Sequence, residues 1–267
     1  MTEASISAFY LPYPNMEPRR VRVYVPEHEE GELLPVIYML DGQCLFYKDE
    51  NPWGCWNVLE AVESERRQTS RGVIIVGIDN GGLRRDNELT PASIGKIIGP
   101  NEMENFTEPL GEEFDRFVVE AVMPEVEKRF PVRTDRLSTA ICGSSSGGLQ
   151  SFFTGMEHAE RFSMIGAFSP AFLLYSAQSW MNWLVPKLGG YNPYLYIYTG
   201  CGDELEQKIY FSTEMLYELL TAMCYPAGLM NEVVLFDYKH NEEAWGEIFT
   251  DFLFTFLDRV YSSEEDS

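Results

Sequence analysis

The sequence predicts a single α/β domain over residues 1–267, a mainly parallel central sheet with helices on both faces. Three observations predict it. Short apolar runs of strand length alternate with stretches of helical period, the pattern of strand–helix–strand crossovers. One such run, Leu137 to Cys142, passes through Gly143-Ser-Ser-Ser-Gly147 into the apolar stretch from Leu149 to Phe153. Further candidate reactive residues follow later apolar runs, where ligands belong in a parallel sheet.

Taken in order, Arg20 to Val25 alternates like a half-buried antiparallel strand and stops at Pro26. Leu34 to Leu40 is continuously apolar and ends at Asp41-Gly42-Gln43. Trp56 to Glu65 has helical spacing, and Gly72 to Ile78 is a second buried strand ending at Asp79-Asn80. A polar connection rich in Gly, Pro and Asn runs from Leu83 to Pro109, long enough to suggest a functional or mobile loop. Glu112 to Phe130 carries Phe114, Phe117, Val118, Ala121, Val122 and Val126 on one helical face. Met164 to Phe168, Tyr194 to Tyr198 and Glu232 to Phe236 are strands; Ser212 to Met223 and Trp245 to Val260 are helices. The stretch 169–190 reads as a small cap or a plain helical crossover, and the acidic tail 262–267 as a frayed end.

Composition excludes several functions. A formal charge of −22 disfavours nucleic acid and anionic membranes as partners, which need basic surface. No run approaches a membrane span, and the Met1 to Ser5 start lacks the features of a secretory signal. The five cysteines show no CxxC pairing and read as reduced thiols of a cytoplasmic protein. Cys44 and Cys201 lack basic neighbours that would activate them.

The form G-x-S-x-G is a nucleophile elbow, in which a strained strand-to-helix turn exposes a serine hydroxyl, here Ser145. Alone it is a weak pattern, since Ser/Gly-rich loops also produce it. Only three histidines compete for the role of base. His28 lies in a polar turn and reads as solvated; His158 reads as a surface or helix-end residue; His240 follows the last strand, where a short loop meets a helix. The acid should lie between serine and base in the chain. Asp203 is chosen because its Gly-x-Gly-Asp turn carries a short carboxylate over the strand ends, and Glu204 stays open. In this arrangement His240 takes the Ser145 proton and Asp203 holds the imidazole tautomer. The oxyanion donors would be the backbone N–H groups of Ser146 and Gln43. No metal or other cofactor is needed, and the scattered histidines offer no zinc motif.

With these residues in place, the chain resembles the Putative esterase family of α/β-hydrolases, which includes esterase-D-like, enterochelin-esterase-like, and feruloyl or acetyl-xylan esterases. The matching segments are 22–26, 35–43, 76–80 with Arg84 and Arg85, 142–149, 166–170 and 240–245, nearly the whole chain. The resemblance implies the α/β-hydrolase fold and serine esterase activity, with Ser145 and His240 in the family's catalytic positions. It departs in two places. Ser146 stands where many members have Met, and Gly200 to Glu204 stands where members often show Gly-x-x-Glu.

The expected substrate is a small soluble ester, an acyl-carbohydrate or an aryl or short-chain acyl ester. Of the five tryptophans (Trp53, Trp56, Trp180, Trp183, Trp245), Trp53 and Trp56 follow the oxyanion loop and are the candidates for substrate contact. Any one of them could instead pack the core. Asp79, Asp86 and Glu88 read as structural ion-pair residues. A catalytically silent binding protein on the same fold, or a thioesterase or peptidase with the same triad, are the alternatives. Homo-oligomerisation is left open.

Overall fold

The computed structural model describes residues 2–98 and 108–265. Eight strands form one sheet in the order β1-β2-β4-β3-β5-β6-β7-β8. β1 (Ser5–Tyr13) and β2 (Met16–Val25) form an antiparallel hairpin, and β2 pairs antiparallel with β4 (Ile74–Ile78). β3 (Val36–Leu40), β4, β5 (Thr139–Ser144), β6 (Met164–Phe168), β7 (Tyr194–Gly200) and β8 (Met230–Leu235) run parallel. β1, not expected from the sequence, is an edge strand with most of its residues exposed; only Phe9, Leu11 and Tyr13, at alternate positions, turn toward the core. Its Pro12 sits at a register shift, where a missing N–H costs no ladder bond.

Strand alternation divides the core into two faces. Val36, Tyr38 and Leu40 join α3 (Gly111–Arg116), α4 (Met123–Arg129), α5 (Ser146–Glu157), α6 (Ala177–Leu184) and α7 (Glu204–Ala222) on one side. Ile37 and Met39 join α1 (Val58–Thr69) and α8 (Glu242–Glu265) on the other. Strands covered on both faces must be apolar at every position, which explains the continuous runs in β3, β4 and β6. The helix expected from Glu112 is interrupted by a π-helical turn at Phe117–Val122. Pro124, next in line, lacks an N–H and crowds the carbonyl four residues back, and the wider turn absorbs that misfit.

Within 169–190, Phe172–Leu174 is a 3-10 turn followed by α6. Trp180 is fully buried and donates its Nε1–H to the Phe172 carbonyl at 3.1 Å; Trp183 stacks on Phe153 of α5 at 5.3 Å. The polar connection contains a short helix, α2 (Arg85–Glu88), while residues 99–107 lie outside the described part. α8 remains helical to Glu265, through most of the tail expected to fray.

Candidate active site

The carboxyl ends of β3, β4, β5, β7 and β8 lie at one edge of the sheet and bring their loops together. Ser145, between β5 and α5, has φ 58° and ψ −123°. Its backbone is clamped in this uncommon conformation: the Ser145 N–H donates to the Phe168 carbonyl at 2.9 Å, and its carbonyl accepts from Ala171 N–H at 3.0 Å. The flanking glycines are needed for space. A Cβ on Gly143 would sit 2.7 Å from the Gly147 carbonyl oxygen, and one on Gly147 would sit 2.9 Å from Asp41 Oδ2.

His240 Nε2 lies 3.0 Å from Ser145 Oγ. Its Nδ1 lies 2.7 Å from Glu206 Oε1. A carboxylate can only accept, so Nδ1 carries the proton and Nε2 presents its lone pair to the serine hydroxyl. Trp245 packs edge-on to the imidazole at 4.9 Å and is itself pinned by an Nε1–H bond to Ser169 Oγ at 2.9 Å. Glu206 is fully buried, and its second oxygen accepts the Gly200 N–H at 2.8 Å.

Asp203, expected to face the imidazole, does something else. Oδ1 accepts the Glu206 N–H at 2.9 Å and caps α7, while Oδ2 accepts the His240 backbone N–H, also at 2.9 Å. Burial works to raise its pKa, but the His240 and Glu206 amide hydrogens outweigh that and hold the carboxyl below the usual range. A short side chain at the cap position is committed to the backbone; the residue one helical turn later points at the ring. Glu204 is exposed at the first position of α7 and pairs with Lys208. The acid position beside His240 is therefore occupied by Glu206, which the sequence reading missed. The available signal was the Asp203-x-x-Glu206 spacing, which marks a helix start with the glutamate turned back toward it.

Ser146 is the first residue of α5 and Gln43 the second of the 3-10 turn Gly42–Cys44, positions whose N–H groups have no carbonyl to bond within their own helix. The Gln43 carbonyl accepts from Asn51 Nδ2 at 3.1 Å, and its Oε1 accepts the Asn80 N–H at 3.2 Å. The two candidate contact tryptophans separate. Trp53 is 75 % exposed, in a turn where its N–H donates to Asn51 Oδ1. Trp56 is 2 % exposed and packs on Phe168, Trp245 and Phe249, so it belongs to the core and offers no face to a ligand.

The remaining candidates are structural. Asp79 pairs with Arg22 and Glu88 with Arg19. His28 is buried rather than solvated, its Nδ1 2.9 Å from the Pro26 carbonyl. Burial pushes the Cys44 and Cys201 thiols up, away from the reactive thiolate.

Solved structures share this architecture. The siderophore hydrolase EstA from Aspergillus nidulans superposes with a TM-score of 0.71 at 19 % identity, covering 95 % of this chain and 94 % of that one. A CE1 ferulic acid esterase from Anaeromyces mucronatus, solved with ferulic acid, gives 0.67 at 20 % identity, covering 96 % and 91 %. The ferric enterobactin esterase of Salmonella typhimurium gives 0.66 at 18 % identity, with 100 % of this chain matching 60 % of that one. At such identities these likenesses speak to the fold, the α/β-hydrolase fold. The Putative esterase family model, in contrast, matches the sequence itself over residues 15–218, spanning the sheet from β2 to β7 and the serine elbow. By that match the chain belongs to the Putative esterase family.

Proposed function

We propose that this serine carboxylic ester hydrolase works through an acyl-enzyme on Ser145, with His240 as general base and then acid and Glu206 as the carboxylate that orients it. The observation that carries the reading is the imidazole bridging Ser145 Oγ at 3.0 Å and Glu206 Oε1 at 2.7 Å. Ser145 Oγ attacks the ester carbonyl while His240 Nε2 takes its proton. The carbonyl oxygen, now negative, is met by the Gln43 and Ser146 N–H groups. Collapse expels the alcohol, protonated by His240, and water repeats the sequence to release the acid. Glu206 keeps Nδ1 protonated and stabilises the transient imidazolium. A negative group is suited to that because it is buried and held by Gly200 N–H.

The substrate we infer is a soluble aryl, acyl-carbohydrate or short-chain acyl ester. Supporting this are Trp53, exposed on the loop that also holds the Gln43 carbonyl, and the ferulic acid esterase and siderophore hydrolase names of the similar structures. We place the enzyme in the cytoplasm on its five free cysteines. Among the described residues no helix is long and apolar enough to cross a membrane.

Hydrolysis of short-chain p-nitrophenyl esters and methyl ferulate, by wild type and Ser145→Ala, tests the reading. Activity lost in the variant is the expected result. Equal background rates would move a silent binding protein to the front, and faster turnover of thioesters or anilides would change the substrate class.

A further inference from the structure

The carboxyl end of the sheet holds a charged cluster that none of these steps uses. Arg85 grips Asp41 with two hydrogen bonds, Nε to Oδ1 and Nη2 to Oδ2, each 2.7 Å. The same Nη2 donates to the Ser144 carbonyl at 3.2 Å, one residue before the nucleophile. Nη1 pairs with Asp86 Oδ1 at 3.3 Å, and that oxygen accepts from Ser146 Oγ at 3.0 Å. On the other side, Asn80 Nδ2 donates to Asp41 Oδ1 at 2.6 Å, and the Asn80 N–H donates to Gln43 Oε1.

The two ends of this chain of contacts are Gln43 and Ser146, the residues whose amides the proposed mechanism assigns to the oxyanion. Those amides come from separate loops. The β3–β5 ladder ends at Met39↔Cys142, so no strand pairing extends to Gln43 or Ser146. Asp41 has φ 58° and ψ 48°, a left-handed conformation uncommon outside glycine that Asp tolerates better than most residues. The Arg85 fork holds the Asp41 side chain there, since a bidentate guanidinium–carboxylate pair sets both distance and plane. Gly147 lets the carboxylate approach the elbow, because a Cβ there would lie 2.9 Å from Asp41 Oδ2. Burial disfavours the Arg85 charge, yet the facing Asp41 and Asp86 carboxylates keep the guanidinium's pKa above its ordinary value.

We propose that Ser146–Asp86–Arg85–Asp41–Asn80–Gln43 is a polar brace that fixes the two oxyanion amides relative to each other, with Arg85 its central positioning residue. The proposal rests on the serine-hydrolase reading of Ser145. Ser146 thereby acts twice: its N–H meets the oxyanion and its hydroxyl anchors the brace.

The test compares wild type, Ser145→Ala, Arg85→Met, Arg85→Lys, Ser146→Ala and Asp86→Asn in p-nitrophenyl acetate hydrolysis. In parallel it measures inhibition by an aryl trifluoromethyl ketone. Ser145 Oγ adds to the ketone carbon, its proton passes to His240, and the resulting hemiketal oxyanion needs both amides. Removing one oxyanion donor outright costs ~10²–10³ in kcat; Arg85→Met leaves both amides present but misaligned, so the loss should be about 10²-fold, with KM within about 3-fold of wild type. Ketone affinity should fall by a similar factor. Arg85→Lys should recover part of the loss, and Ser146→Ala should turn over about 3- to 10-fold more slowly, the worth of one ordinary hydrogen bond. Adding Ser146→Ala to Arg85→Met should cost little more, because both break one unit.

A folded Arg85→Met with wild-type kcat would overturn the brace. So would a kcat loss unaccompanied by weaker ketone binding. Should Arg85→Met fail to fold, Asp86→Asn and Ser146→Ala decide the matter by the same kcat and ketone readouts. If wild type and Ser145→Ala hydrolyse at the same rate, the hydrolase reading itself fails, a result separate from any effect at Arg85.

Discussion

His158 and His240 each lie beside a carboxylate at hydrogen-bond distance, His158 Nε2 2.9 Å from Asp115 Oδ2 and His240 Nδ1 2.7 Å from Glu206 Oε1. Their second nitrogens meet opposite surroundings. His158 Nδ1 faces another acid, Glu160, at 3.9 Å, and the residue is the C-cap of α5, its backbone N–H donating to the Thr154 carbonyl. The Asp115 hydrogen bond, only partly offset by burial, raises its pKa, so this site favours a cation. His240 Nε2 faces the hydroxyl of a serine held in a strained turn. A histidine–carboxylate pair is thus no sign of catalysis by itself. What differs is whether the free nitrogen is aimed at a nucleophile whose position the backbone enforces.

The largest effect should come from breaking the catalytic side of this comparison. Ser145→Ala and His240→Ala should each lower kcat by about 10⁶-fold, as members of a unit do, whereas His158→Ala should leave kcat within about 2-fold. Ester hydrolysis by the three purified variants checks this, and a large loss in His158→Ala would reverse the assignment of roles.

Next in size is the carboxylate. Glu206→Gln should lower kcat by about 10²–10⁴-fold, because the imidazole loses its tautomer control and its counter-charge. Asp203→Asn should cost less, about 10-fold, since it disturbs a cap and the His240 backbone rather than the ring. Equal losses in the two variants would sink the distinction between them. Glu204→Gln should match wild type.

The tryptophans give a stability contrast. Trp56→Ala opens the core beneath the site and should cost about 3–5 kcal/mol of unfolding free energy. Trp53→Ala should stay within about 0.5 kcal/mol and act, if at all, on KM for aryl esters. Urea titration and Michaelis kinetics of both variants separate the roles.

Smallest is the pH signature of the structural histidine. A folded-state pKa raised above 6.5 means that the His158 contribution is complete below pH 6.5 and is lost as pH rises through the folded value. His158→Ala should therefore cost about 0.5–1 kcal/mol near pH 5.5 and approach zero in alkaline solution. A difference that grew with pH would contradict the cationic reading of this site.

Much of this was legible in the residues themselves. β3, β4 and β6 are apolar throughout because both faces are covered, and such runs announce themselves. β1 did not, because in this edge strand only Phe9, Leu11 and Tyr13 turn toward the core and the rest of the side chains are mostly exposed. Ser145 was legible because the elbow is local: two glycines beside one serine satisfy a steric need within five residues. His240 was legible by elimination among three histidines and by its place after the last strand.

Other features depended on how distant elements meet. Asp203, Glu204 and Glu206 lie within four residues, and nothing local ranks them as partner of an imidazole 34 residues beyond Glu206. The phase of α7 does, by committing Asp203 to the cap and turning Glu206 inward. Trp53 and Trp56 look alike in sequence, yet one lies in an exposed turn and the other beneath α8. The Arg85 brace joins residues from the loops after β3, β4 and β5, so no spacing along the chain could reveal it. The sequence by itself determined the α/β layout and singled out Ser145 and His240, because strand burial and the elbow's sterics are short-range requirements. Only the tertiary structure decided which carboxylate faces the imidazole, which tryptophan meets solvent and which residues gather around Arg85. Those are set by side-chain directions across elements far apart in the chain.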